Sequence, residues 1–385
     1  MLRPTLSTLT TGLVTSIALA LTATAASANE TELPTQPEKV APTPLVDGLN
    51  TVMSKLNLTI YGYIKADASY DTANMPTGDY AGYVEQGTEN DGQFNVTARQ
   101  TRLGMKIAGP ESDSVKTSGL VEVDFYSGAT ANSSQPRMRH AYVNVDLPEQ
   151  DLSVRFGQTS DVISPLVPTT INYLVAWKQG DIGFRRNQFR VTKGFNVGES
   201  NRLLMVAAAT RSTGSESVGR PGVQARVGYT FNGIGGNKTT VGVSGHTAPT
   251  DGLLSSNSIN ADLVLPLTSS VTLKAEYYSG RNLGKYLGGV ATGPSDLETT
   301  GFWAALGYKA NPTWSFNGGY SMDDPELEDI NTGGKTTNAT LWTNANYAID
   351  SATTVGLEVA EHTTGYKDAD DEKGTRFQLA FTFKF

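Results

Sequence analysis

Arg186 and Arg190 stand four residues apart in IGFRRNQFRVT (182 to 192), and Arg102, Lys106, Arg155, Arg226 and Arg376 recur in similar short runs of alternating polarity. A guanidinium grips a carboxylate through two parallel N–H···O bonds, which an ammonium cannot do. A row of such groups on one surface would hand carboxylates along, provided that no single site holds them too tightly; the alternative is that they pair with acids such as Glu122 or Asp124 and only hold a wall. Arg186 and Arg190 would lie about 13 Å apart on an extended chain at about 3.3 Å per residue, a handing distance for a small dicarboxylate. Whether these side chains share a surface depends on the elements that carry them.

Those elements read as strands. The chain ends RFQLAFTFKF, with Phe377, Leu379, Phe381, Phe383 and Phe385 in one phase and Arg376, Gln378, Thr382 and Lys384 in the other. Period two means a strand with one apolar and one polar face. The first such stretch is LTIYGYIKADASY from Leu58, and sixteen are expected through to Phe385. The connections alternate: long after odd strands, as at 71 to 92, 159 to 182 and 280 to 297, and tight after even strands, as at PEQD, NVGES and ANPT. That asymmetry predicts an all-β fold, a transmembrane antiparallel up-and-down β-barrel of about 16 strands with an inward-folded third outer loop. The third loop, 159 to 182, carries Ile163, Leu166, Val167, Ile171, Tyr173, Leu174 and Trp177 set among Pro165 and Pro168, and such side chains suit a loop packed on the inner wall, with a cap on a subunit interface as the alternative. Ser164, Tyr173 and Trp177 are its candidate constriction residues.

The N-terminus predicts export. Arg3, an apolar run and Ala26-Ser27-Ala28 give a signal peptide over 1–28, followed by a proline-rich periplasmic tether over 29–57 and the barrel over 58–385. No apolar stretch is long enough for a membrane helix. With 0 Cys there is neither a disulfide framework nor thiolate chemistry. A net charge of -8 argues against a nucleic-acid partner.

If the apolar phase faces lipid, the lumen receives Lys65, Arg102, Lys106, Arg155, Arg186, Arg190, Arg226, Lys274, Arg376 and Lys384 against Asp67, Glu122, Asp124, Asp146, Asp262, Glu276 and Glu358. The lumen is then mildly cationic although the chain is acidic, because the other acids crowd the outer loops, as in DDPELED at 323 to 329. Those runs read as solvated charge, with divalent-ion bridging to lipopolysaccharide as the alternative. Arg99, Arg137 and Arg139 fall in the lipid phase, where a midplane Arg costs about 2 to 4 kcal/mol. They require a bulge, a rim position or a protein neighbour.

RQTRLGMK at 99 to 106, VEVDF at 121 to 125, RMRHAYV at 137 to 143, RFGQT at 155 to 159 and IGFRRNQFRVT together resemble the early strands of the DcaP-type outer-membrane porins, trimeric channels associated with dicarboxylate uptake. Terminal Phe385 is similar to the C-terminal aromatic signal of barrels assembled in Gram-negative outer membranes. The resemblance implies a homotrimer in outer-membrane lipid and lipopolysaccharide, with early strands at the subunit contact, which favours an interface for Arg99, Arg137 and Arg139. It also implies that the third loop narrows the pore.

The three histidines, His140, His246 and His362, are far apart with no Ser-His motif, so no catalytic residues, metal ligands or cofactors are expected. The expected function is diffusion of small anionic organic solutes; the alternatives are a general, weakly selective porin and a non-conducting structural or adhesin barrel.

Overall fold

The computed structural model describes residues 57–76, 78–88, 91–110, 114–128, 133–212, 219–250, 255–291 and 297–385. The expected signal peptide, and the tether apart from Asn57, lie outside these residues. Seventeen strand segments form one antiparallel sheet: β1 Leu58–Asp71, β2 Gln93–Thr97, β3 Arg102–Ala108, β4 Lys116–Ser127, β5 Gln135–Leu147, β6 Leu152–Ser160, β7 Arg185–Val197, β8 Asn201–Thr210 and β9 Gly222–Asn232. The circuit continues through β10 Lys238–Pro249, β11 Ser255–Pro266, β12 Val271–Arg281, β13 Glu298–Lys309, β14 Trp314–Pro325, β15 Lys335–Ala348, β16 Thr353–Tyr366 and β17 Glu372–Lys384. β2 and β3 both pair with β1 and fill one place in the wall, so the barrel has sixteen strand positions.

Closure joins the first strand to the last. β1 and β17 run in register from Tyr63 opposite Lys384 to Asp71 opposite Arg376, and Gly62 and Phe385 exchange both backbone hydrogen bonds at 3.1 and 3.2 Å. A sheet closed in this way has no open edge, which a hydrocarbon environment demands. On β17 the apolar phase points outward, with Phe381, Phe383 and Phe385 about half exposed, while Arg376, Gln378 and Ala380 are buried inward. Phe94 (74% exposed), Ile259 (71%) and Phe156 (69%) extend the apolar exterior around the wall. An outer belt of this kind belongs in lipid.

Two irregularities alter the phase near the early strands. Between Asp67 opposite Thr97 and Tyr63 opposite Arg102, the β2–β3 side holds one residue more than β1. On β5, Glu122 faces His140 but Val123 faces Met138, so Arg139 is the extra residue of a bulge. Bulges re-aim side chains. These turn Arg139 and Arg137 to the carboxylates of Glu122 and Asp124, and Arg99 to Asp79 of the first long loop. The lipid-phase argument for setting Arg99, Arg137 and Arg139 at a subunit interface therefore fails, and the bulge is the physical reason.

The apolar core lies inside the barrel, where long loops pack on the wall. Ile163 and Ile182 of the third loop cluster with Ala248, Tyr278, Leu283 and Tyr286, while Leu166 packs against Trp303, Ala305, Trp342 and Ala360. Val167 is the exception to the expected inward set, half exposed beside Pro168.

The closure makes a direct prediction. Deleting Phe385 removes the paired hydrogen bonds to Gly62 and a lipid-facing aromatic together, so the heat-modifiable folded band should disappear from outer-membrane fractions. A normal amount of that band would contradict this account of closure.

Candidate functional site

The third loop runs between β6 and β7, from Asp161 to Phe184, and the wall holds it mainly by its backbone. Glu358 on β16 accepts the N–H groups of Ile171 (2.6 Å) and Asn172 (2.9 Å), and Glu276 on β12 accepts that of Leu166 (2.8 Å). Asn344 donates to the Thr169 carbonyl and the Lys65 ammonium to that of Ile171, at 2.8 and 2.9 Å, while Gln224 accepts the N–H of Val162 at 2.6 Å. Carboxylates that accept backbone N–H bonds are held by charge-assisted contacts stronger than neutral ones. The loop thus follows the inner wall from β9 through β12 and β16 to β1.

Close approach is possible because Gly180, at φ +114°, rests on the β13–β14 backbone: a Cβ there would lie 2.1 Å from the Phe302 carbonyl oxygen. Ser164, Val175, Ala176 and Lys178 also have left-handed φ, between 43° and 65°. Such strain persists only where many contacts over-determine the path. Two further loops supply them. Asn172 exchanges hydrogen bonds with the Ala81 backbone of the first loop, and Gln179 donates to the Gly82 carbonyl at 2.8 Å. The Lys178 N–H donates to Leu287 and the Gly183 N–H to Tyr286, both in the loop between β12 and β13.

Across from this seat, Tyr173 reaches the inner face of β4 and β5. Its hydroxyl accepts from Arg137 and from Arg139 (3.4 Å), and its ring stacks on Tyr126 at 4.1 Å, with Tyr80 at 5.9 Å. Trp177 meets Tyr173 and Phe184 edge-on at 6.3 and 5.5 Å. Ser164 is a half-buried turn residue in left-handed geometry.

The arginines divide into two groups. Arg186 is bound bidentately by Asp161 (2.5 and 2.9 Å), Arg226 by Asp262 (2.8 and 2.6 Å) and fully buried Arg376 by Asp71 (2.7 and 2.7 Å). Arg137 and Arg139 are likewise occupied by Asp124 and Glu122. These five hold the wall, so Arg186 does not form the expected handing pair with Arg190. Arg155 and Arg190, directly opposite each other on β6 and β7, have no carboxylate partner among the described residues. Arg155 leans on Asn144 and lies 4.1 Å over the Tyr142 ring, and Arg190 leans on Gln188 and the Ser160 carbonyl. Arg102 stands 4.0 Å from Glu122 and over Tyr63, and exposed Lys106 lies over Tyr61.

Sequence reasoning passed over Arg185. Strict alternation allows only one of Arg185 and Arg186 to face inward, but Arg185 is the first residue of β7 and leaves the loop two residues after Gly183, at φ +101°. It is 9% exposed, stacks over Phe184 at 4.2 Å, and shares its space with Arg137, Arg139 and Tyr173. Among the described residues its Nε and Nη2 have no hydrogen-bond acceptor, while the guanidinium also meets the Tyr173 hydroxyl. The histidines carry no catalytic arrangement that this geometry favours: His246 lies between Ser258 at Nδ1 and Ser256 at Nε2, and His362 meets Thr340 and Gln179.

No sequence-family model matches the chain, and comparison with curated protein sequences gives no match. Solved structures do match. The outer membrane channel DcaP of Acinetobacter baumannii superposes with a TM-score of 0.72 at 19% identity, over 85% of this chain and 97% of that one. An anion-selective porin from Comamonas acidovorans gives 0.57 at 13% identity, over 85% and 99%. The trimer form of OmpT, an outer membrane protein of Vibrio cholerae, gives 0.56 at 12% identity, over the same shares. The chain has the fold of the outer-membrane porins. The DcaP-type resemblance of its early strands is matched in architecture.

The seat of the third loop can be tested apart from the barrel. Glu358→Ala would leave two buried N–H groups without an acceptor, at about 1 to 3 kcal/mol each. Gly180→Ala would push a methyl into the Phe302 carbonyl. Both variants should keep the folded band but expose the third loop to limited proteolysis; a protease-resistant loop in both would contradict the seating.

Proposed function

We propose that the chain is an outer-membrane porin that passes small anionic organic solutes, dicarboxylates among them, by diffusion. The observation that carries this reading is the fate of the carboxylates. Asp71, Glu122, Asp124, Asp161 and Asp262 are each in contact with an arginine, and Glu276 and Glu358 are covered by the third loop. Asp67 is matched by Lys65, and Asp146 lies opposite Lys116 at the short-turn end. Against these, Arg155, Arg185 and Arg190 have no carboxylate partner among the described residues.

Two unit charges about 4 Å apart interact by about 4 kcal/mol at an effective dielectric near 20, whereas acids beyond about 8 Å of salt water are screened. Unpaired guanidiniums at the narrowing therefore outweigh the acidic outer loops. Dividing the attraction among Arg185, Arg190 and Arg155 keeps each site weak enough to release its solute.

The trimer form of the OmpT structure supports a homotrimer here. With an even number of strand positions, both barrel ends lie on the short-turn side, which suits cleavage after Ala28 and a periplasmic tether up to Asn57. The acidic outer loops are then the surface that meets lipopolysaccharide. The pore uses no cofactor and performs no covalent chemistry.

Arg155→Glu with Arg190→Glu changes the lumen by four unit charges without touching a salt bridge. Succinate-sized dicarboxylate flux into proteoliposomes should fall about tenfold, which corresponds to about 1.4 kcal/mol, while neutral sugar flux holds. Equal flux of both solutes before and after the change would support a general, weakly selective porin instead. Absence of flux in the wild type would favour a structural or adhesin barrel.

A further inference from the structure

Beneath the third loop lies a carboxyl group that the pore reading does not use. Asp181 is 1% exposed, and among the described residues neither of its oxygens receives a well-formed hydrogen bond, although the Ile182 N–H lies beside it. The group facing it is another carboxyl, that of Glu276. Glu276 is already occupied as an acceptor: Oε1 takes the Leu166 N–H at 2.8 Å and Oε2 the indole N–H of Trp303 at 3.1 Å. Two ionised carboxylates in a dry contact repel strongly, so one of the pair must hold a proton.

The surroundings do not relieve the pair. From β11 it meets Asp262, whose two oxygens are held by Arg226 of β9, and Tyr278 of β12 donates to Asp323 of β14. Glu276 and Tyr278 face Asp181 directly, while Asp262 with its partner Arg226 and the Trp303 indole adjoin Glu276, and Asp323 adjoins Tyr278. Burial and the Glu276 charge hold the Asp181 carboxyl well above the usual carboxylate range. The backbone fixes it there: the Asp181 N–H donates to Ala176 at 3.0 Å, and adjacent Gly180 rests on the wall.

We infer that Asp181 is a positioning residue for the constriction: it shares one proton with Glu276 and so latches residues 166 to 182 to the inner wall. A carboxyl with a raised folded value loses stabilisation as pH climbs from the ordinary aspartate range to the shifted value. Loop seating therefore weakens toward alkaline pH. Once Asp181 ionises, it faces Glu276 charge to charge, and the segment leaves the wall for the water path.

The inference rests on the pore reading only through conductance, and an infrared measurement separates the two. The full-length protein, purified and reconstituted, should show at neutral pH a protonated-carboxyl C=O band that is lost in Asp181→Asn. In planar bilayers the wild-type open-channel conductance should drop and flicker on raising the pH above neutrality. Asp181→Asn, whose amide donates to Glu276 without titrating, should keep the neutral-pH conductance throughout. Asp181→Ala, which has no donor, should flicker at every pH. If the wild type lacks the band, or if Asp181→Asn keeps either the band or the wild-type alkaline drop, the shared proton is overturned. Should Asp181→Asn fail to fold, Glu276→Gln takes its place and should likewise lose the band. A channel that shows the band but conducts nothing overturns the pore reading and leaves the shared proton standing.

Discussion

The site depends on two buried carboxylates that hold a loop by its backbone. Glu358 and Glu276 take the N–H groups of Ile171, Asn172 and Leu166, so the loop stays on the wall without help from charged side chains of its own in this stretch. One contact has two effects. It fixes where the lumen narrows, and it covers two acidic groups that would otherwise face passing solutes. Breaking it would both widen the path and bare those acids to it.

The same economy of charge runs along the opposite wall. Asp124 receives Arg137 and Arg139, Glu122 receives Arg139, and Asp161 receives Arg186, which leaves the excess positive charge on Arg155, Arg185 and Arg190. Position matters here more than the chain's net charge of -8, since screening removes the outer loops from the balance. The aromatic rings of Tyr80, Tyr126 and Tyr173 pack beside the guanidiniums of Arg99 and Arg137 and limit the ways those side chains can turn.

Much of this architecture is legible in the sequence because period two survives wherever one face meets lipid: Phe381 and Phe383 point out, and Arg376 and Gln378 point in. The alternation of long and short connections and the apolar third loop are equally plain. The charge partners are not. A strict alternation puts Arg99, Arg137 and Arg139 in lipid, and one extra residue at Arg139 and another between Thr97 and Arg102 reverse that. Nothing in a single sequence marks a bulge among polar residues. Arg186 and Asp161 are far apart along the chain, so their pairing, and the unpaired state of Arg185 beside it, emerges only when β6 and β7 come together. The first loop, with Met75, Ala81 and Val84 fully buried, is legible only once the barrel gives it an interior to fill.

The central claim is that location, and not net charge, sets the sign of the lumen. The zero-current reversal potential of the reconstituted wild-type protein in a steep KCl gradient at neutral pH measures that sign directly. The account predicts a potential on the chloride side, shrinking as ionic strength rises and screening shortens the reach of Arg155, Arg185 and Arg190. A potential on the potassium side would contradict it.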